Sequence, residues 1–406
     1  MKRTPRIHTR QEDPDFLDLD WASPIATWTD DRLVDMPAGI HRHEVVFVAY
    51  PTGVYAIKEL PRDLSKHEFD VLRAMETTTR HTARAAGHVD RPWVEHDEEW
   101  SGAVITRYVP HAFPYRHLVS GAGFGKRRES LLDAFAGLLV ELHLAGLYWG
   151  DCSLSNILYR WDASSIEAVM IDAETSRIYP QLSTGQRRED LAIMEVNVAG
   201  EMADVAAASG AGLDDADLDL GADIATRYHS LWKELTTSLI VTAGDHYLIR
   251  RRIDSLHELG YAVEDIDLIP VDDGLNVKIR VKVGGRQYHS EQLRQITGID
   301  VSENQARSIL SDLAYFEARF GPSTATGKAV GAFKWRSQVF EPLVLQIAES
   351  MPEADVYQAY CDFLAFRLNL ATERSSDVPN NEAFAAWTDA GFPPPADAEA
   401  SVSVQP

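Results

Sequence analysis

Two short β-rich runs, Ile157-Leu158-Tyr159 and Val169-Met170-Ile171, are separated only by Arg160–Ala168. That spacing favours one arrangement above others, an antiparallel hairpin, in which the start of the first strand lies beside the end of the second. Asn156 and Asp172 flank the two runs, so the hairpin brings them together whatever the rest of the chain does. Asp151 stands five residues before Asn156, in the loop that enters the same end. An amide oxygen and a carboxylate converging from two backbones suit Mg²⁺, a hard cation that takes oxygen ligands and keeps several waters. A second carboxylate nearby can orient a hydroxyl and accept its proton. Read singly, these residues are turn formers at a polar hairpin mouth; their convergence is what favours a site.

A lysine and a glutamate upstream fit the same chemistry. Val45–Tyr50 and Val54–Lys58 surround the turn Pro51-Thr52-Gly53 and predict a second hairpin. Alternation puts Val54, Ala56 and Lys58 on one face. The lysine stem can then lie on apolar surface and present its ammonium to a phosphate, while the small Ala56 leaves room for a flat ring. Taken alone, such a lysine is more often a strand-end residue snorkelling into water. The helix expected from about Leu64 to Met75 changes that balance. Its apolar stripe runs Leu64, Val71, Leu72, Met75, and Glu68 falls inside it. A carboxylate there needs a partner, because breaking a buried ion pair costs roughly 3–5 kcal/mol. Lys58 is the natural candidate; a stripe-edge Glu68 reaching solvent is the alternative.

In order, Ala56-Ile57-Lys58, Glu68, Gly150-Asp151…Asn156 and Ile171-Asp172-Ala173-Glu174 resemble the protein-kinase-like fold. The set is nearer to the small-molecule and lipopolysaccharide (Kdo-type) kinases than to regulatory protein kinases. The wider run Leu142–Asn156 also resembles an uncharacterised bacterial family, domain of unknown function 4032. The resemblance implies an α+β, two-lobed protein-kinase-like fold: a small antiparallel β-sheet lobe plus a helical lobe, with an added C-terminal α/β unit. It also implies roles. Lys58 would contact the α/β-phosphates of ATP and Glu68 would orient it. Asp151 would be the catalytic base, and Asn156 and Asp172 the Mg²⁺ ligands. Arg107-Tyr108-Val109, after a strand expected at 103–106, would be the adenine-contacting hinge.

Several positions depart from that pattern. No G-x-G-x-x-G precedes the first hairpin; Gly39-Ile40-His41-Arg42-His43 stands there. Arg42 would then bind phosphate by charge, or else the segment is a solvated basic turn. Trp149-Gly150 replaces His-Arg, Ala173-Glu174 replaces Phe-Gly, and Thr175–Arg188 lacks an Ala-Pro-Glu ending. Asp190 either braces the catalytic loop or is a helix surface carboxylate. Gly121–Lys126 imitates a phosphate loop, but Ser120 and Arg127 stand where that motif needs Gly and Ser or Thr.

The chain is read as an N-terminal arm (1–38), a sheet lobe (39–110) and a helical lobe (111–245) containing an apolar helix from about Ser130 to Ala145. An accessory α/β unit (246–320), a linker (321–333), a helical segment (334–376) and a disordered tail (377–406) follow. The Ala-, Gly- and Asp-rich stretch 206–223 reads as a loop or hinge. With 62 acidic against 39 basic side chains, the formal charge is −23, which opposes a nucleic-acid partner. Cys152 and Cys361 cannot make a disulfide framework. No run reads as a membrane span or a secretory signal. A cytoplasmic protein is therefore expected, an ATP- and Mg²⁺-dependent phosphotransferase acting on a hydroxyl of a sugar, glycolipid or other small molecule. The alternatives are a nucleotide-binding pseudokinase and a scaffold whose C-terminal unit captures a protein partner.

Overall fold

The computed structural model describes residues 4–36, 43–96, 99–119, 125–210, 215–242, 245–271, 276–320 and 325–394. The chain divides into two units, one of residues 1–160 and 168–234, the other of 161–167 and 235–406.

The first unit begins with a six-stranded sheet. Its strands are β1 (Arg6–Thr9), β2 (Leu33–Val34), β3 (Val45–Tyr50), β4 (Gly53–Pro61), β5 (Ala85–His96) and β6 (Glu99–Arg107). Their order is β1-β5-β6-β4-β3-β2, and neighbours run antiparallel. Lys58 lies on β4 between Val45 of β3 and Val104 of β6. Helix α1 (Arg62–Met75) follows β4 directly and packs on β5 and β6. Gly102 permits this approach, since a Cβ there would stand 2.1 Å from Ser65 Oγ and 3.1 Å from Arg62 Cα.

The other sheet face is covered by the segment expected as an arm. Phe16, Trp21, Ile25 and Trp28 are buried against Tyr55, Ile57, Ala103 and Ile105, while β1 and β2 extend the sheet. A buried ion pair fastens the segment. Arg91, with no exposed surface, lies 2.5 Å from Glu59; Arg91 donates to the Ser23 carbonyl and Glu59 accepts the Ile25 N–H at 2.8 Å. The burial has a plain cause: four large apolar side chains in an irregular segment still gain by leaving water.

The helical part of the unit contains β7 (Phe113–Pro114), α2 (Gly125–Leu144), β8 (Leu147–Tyr148), β9 (Ile157–Asp162), β10 (Ser165–Met170) and β11 (Arg177–Ile178). It ends with α3 (Thr184–Ser209), α4 (Asp215–Leu218) and α5 (Leu220–Thr236). On α2, Leu131, Leu132, Phe135, Leu138, Leu139 and Leu142 are all buried, as their helical spacing predicts. Strands β9 and β10 are adjacent and extend almost to each other, Ala163 turning the chain at φ 55°. The described part of 206–223 is largely helical rather than a hinge. Alanine is the best helix former, and Asp215, Asp217 and Asp223 sit in first helical turns, where the helix dipole favours carboxylates.

The second unit has a sheet in the order β12-β14-β13, made of β12 (Leu239–Thr242), β13 (Tyr261–Val271) and β14 (Asn276–Arg286). Its helices are α6 (His246–Glu258), α7 (Tyr288–Thr297), α8 (Glu303–Phe320), α9 (Ala325–Trp335), α10 (Glu341–Ser350), α11 (Val356–Arg374) and α12 (Asn380–Asp389). Trp335, Phe340, Tyr360, Phe363 and Trp387 fill its core. Buried Asp312 accepts hydrogen bonds from Trp335 Nε1 at 2.8 Å and the Tyr360 hydroxyl at 3.0 Å. Residues 325–333, expected as linker, lie in α9, and residues 380–389 of the expected tail form α12. In both cases a tryptophan, Trp335 or Trp387, anchors the helix in the core. Residues 395–406 lie outside the described residues. No described helix is long and apolar enough to cross a membrane.

Candidate active site

Lys58 emerges from the central strand β4 onto the face that α1 covers, its stem flanked by Val45 and Val104. Only 9% of the residue is exposed. Its ammonium lies 3.1 and 3.4 Å from the two oxygens of Glu68, 2.7 Å from Asp172 Oδ2 and 3.1 Å from Glu174 Oε2. The Lys58–Glu68 pairing thus exists, but two further carboxylates share the ammonium.

Burial pushes Lys58 toward losing its proton, and the three carboxylates outweigh that, raising its pKa. Complete burial drives the Glu68 carboxyl up to about 8; Lys58 opposes the rise and the negative Asp172 and Glu174 add to it. Burial also raises Glu174, yet the His43 ring nitrogen at 3.1 Å and Lys58 more than offset this and hold it at about 2. Glu68, Asp172 and Glu174 each offer an oxygen within 4.8 Å of the others, a spacing found in metal ligand sets. Here Lys58 already supplies the cation at their centre. Even with the Glu68 carboxyl raised, Asp172 and Glu174 outnumber the one ammonium, which leaves the cluster short of positive charge.

The hairpin mouth closes the other side. The Ile171 N–H donates to the Asn156 carbonyl at 3.0 Å, which sets Asn156 beside Asp172. Asn156 Nδ2 donates to the Asp151 carbonyl at 3.0 Å and to its Oδ2 at 3.3 Å. The Asn156 side-chain oxygen is thereby its available ligand atom.

Sequence reasoning left Asp190 undecided and passed over Asn197 and Glu201. Fully buried, Asp190 accepts the N–H groups of Trp149 and Gly150, both at 2.8 Å, and pairs with His143 Nε2 at 3.1 Å. It braces the loop. Asn197 Nδ2 donates to Asp151 Oδ1 at 2.9 Å and to the Cys152 carbonyl at 3.1 Å. Glu201 accepts the N–H groups of Leu154 and Ser155 at 2.7 and 2.8 Å. A usable signal was present: seven and then four residues separate Asp190, Asn197 and Glu201, a helical-face spacing. Cys152 is buried, and burial raises its thiol pKa well above the usual range, so it is inert.

Two adjoining hollows meet at Lys58 and Asp172. The first, about 620 Å³, is mainly apolar, with Phe47, Ala56, Leu158 and Ile171 among its walls and Arg107, Tyr108 and Val109 along one edge. The Arg107 guanidinium itself is committed to Asp13 at 2.5 Å, and the Tyr108 N–H donates to the Val54 carbonyl at 2.9 Å. The second, about 880 Å³, is polar and is lined by Asp151, Asn156, Glu174 and Asn197 besides the shared pair. All nine residues predicted for the site besides Arg42 line these hollows. Arg42 lies outside the described residues.

Residues 53–209 match the lipopolysaccharide kinase (Kdo/WaaP) family, and residues 230–391 match a domain of unknown function, DUF4032. No curated protein matches the chain. Among solved structures, WaaP in complex with acyl carrier protein is 14% identical over 55% of this chain and 89% of that chain, with a TM-score of 0.32. The sheet lobe, the helical lobe and the first family match identify a two-lobed kinase-like fold. They support a kinase-like phosphotransferase.

Proposed function

We propose that this chain transfers a phosphoryl group from ATP, with Mg²⁺, to a hydroxyl of a sugar, a glycolipid or another small molecule. The observation that carries the reading is the polar hollow that Lys58, Asp151, Asn156 and Asp172 share, adjoining an apolar one. The donor set fits a divalent cation and a nucleotide. The carboxylate excess around Lys58 suits a divalent cation, and Asp172 with the Asn156 side-chain oxygen offers hard ligand atoms. When bound, Mg²⁺ would neutralise charge on the phosphate oxygens.

The chain's own residues have separable tasks. Val45, Phe47 and Ala56 on the sheet face and Leu158 and Ile171 from the hairpin sandwich a planar base and exclude water from it. Glu68 fixes the direction of the Lys58 ammonium toward the phosphates. Asp151 orients the acceptor hydroxyl and takes its proton as the new O–P bond forms and the bond between the β- and γ-phosphates of ATP breaks, ADP leaving. Catalysis of this kind is positioning plus electrostatic stabilisation. A sugar or glycolipid acceptor is favoured by the family that residues 53–209 match.

Asp151→Ala tests the reading. Stabilisation of the folded protein by Mg-ATP, followed by thermal shift, should persist, while phosphotransfer falls by about 10²–10⁴-fold, the range for a lost general base. Undiminished transfer would remove Asp151 from the role. Nucleotide stabilisation of the wild type without any turnover would favour the pseudokinase reading instead.

A further inference from the structure

One face of α3 holds the whole loop from Trp149 to Ser155. Asp190 takes the N–H groups at its start and Glu201 those at its end. Asn197, between them, differs from both because it bonds to a side chain that the proposed reaction uses. Its Nδ2 reaches Asp151 Oδ1 at 2.9 Å, and Asn156 Nδ2 lies 3.3 Å from Asp151 Oδ2. Each oxygen of the carboxylate therefore accepts one amide N–H. The second bond from Asn197, to the Cys152 carbonyl at 3.1 Å, fixes the amide itself and leaves it no freedom to swing away.

The choice of amides matters chemically. A guanidinium or ammonium would bring an opposite charge as well as a hydrogen bond and would hold the carboxylate as a spectator anion. Among the described residues no cationic side chain pairs with Asp151. Two neutral donors can stop the carboxylate from rotating without cancelling its charge. A carboxylate oxygen has two lone-pair directions, so one on each oxygen is still open toward the polar hollow.

We propose that Asn197 is a positioning residue for phosphoryl transfer, one half of a two-amide clamp that aims the Asp151 carboxylate at the acceptor hydroxyl. The inference rests on the phosphotransferase reading above. It assigns to α3, far along the chain from the loop, a direct part in setting the geometry of proton transfer.

The test is a double-mutant cycle on the full chain, with kcat and KM measured for Mg-ATP and a hydroxyl acceptor. Asn197→Ala should lower kcat about ten- to a hundred-fold, the scale of a misplacement near 1 Å, with KM for ATP and the melting temperature unchanged. Asn197→Asp keeps the shape but removes the donor and should lower kcat at least as much. In an Asp151→Ala background the Asn197→Ala change should cost less than about twofold, because residues that act as a unit are non-additive. An equal loss in both backgrounds, an unchanged kcat, or a kcat loss accompanied by lower ATP affinity and melting temperature would overturn the proposal. A wild-type protein that transfers phosphate to no hydroxyl would instead sink the function on which it rests.

Discussion

Replacing Asp190 by alanine removes the acceptor of three buried donors at once. Oδ2 accepts the Trp149 N–H at 2.8 Å and faces His143 Nε2 at 3.1 Å; Oδ1 accepts the Gly150 N–H at 2.8 Å. Neither the Asp190 nor the His143 side chain has exposed surface. Burial lowers the His143 pKa despite the opposing pull of Asp190, so the ring is neutral near pH 7. The Tyr228 hydroxyl, 2.7 Å from Nδ1, donates to that nitrogen and leaves the proton on Nε2. Each stranded buried donor costs about 1–3 kcal/mol. Water entering the vacated volume recovers part of this, leaving a loss of about 4 kcal/mol. In a unit of some 200 residues that lowers the melting temperature by roughly 8–16 °C. Asp190→Asn keeps the volume but turns an amide N–H toward a backbone N–H, so about half the loss should remain by the same accounting. Calorimetry gives the shift, and hydrogen exchange at the Trp149 and Gly150 amides reports the loop directly. An alanine variant melting within about 2 °C of wild type, with those amides still protected, would refute the reasoning.

Glu59→Ala should strand the fully buried Arg91 at a cost of about 3–5 kcal/mol. It should also free residues 4–36 for limited proteolysis, since the pair anchors Ser23 and Ile25; wild-type resistance to the protease would count against the anchor. The Glu174 pKa, which burial raises and His43 and Lys58 lower to about 2 from 4.5, predicts a specific acid sensitivity. Its stabilisation is complete above pH 4.5, about 3 kcal/mol, and is lost as the pH falls through 2. Glu174→Gln should flatten the stability curve across that window, and acid unfolding curves with parallel slopes for the two proteins would rule the linkage out.

What could be read from the sequence, and what could not, divides along chain distance. Asn156 beside Asp172 follows from one hairpin, and Glu68 near Lys58 from a helix that leaves its strand without a gap; both need only a local period. Phe16, Trp21, Ile25 and Trp28 follow neither period, because they pack from turns, and so their burial on the sheet had no sequence signature. The Gly-Pro-Ser-Thr stretch before α9 and the polar residues around α12 hid helices whose cause is a single buried tryptophan each. Asn197 and Glu201 were hidden for a different reason. A polar helix face looks solvated unless something far away needs its hydrogen bonds, and most of the loop groups that Asp190, Asn197 and Glu201 bond are backbone, the Trp149, Gly150, Leu154 and Ser155 N–H groups and the Cys152 carbonyl. Backbone groups are the same at every residue, so no side-chain pattern announces the demand. The spacing of Asp190, Asn197 and Glu201 on one face is its only trace in the sequence, and it becomes readable once Asp190 is known to point inward.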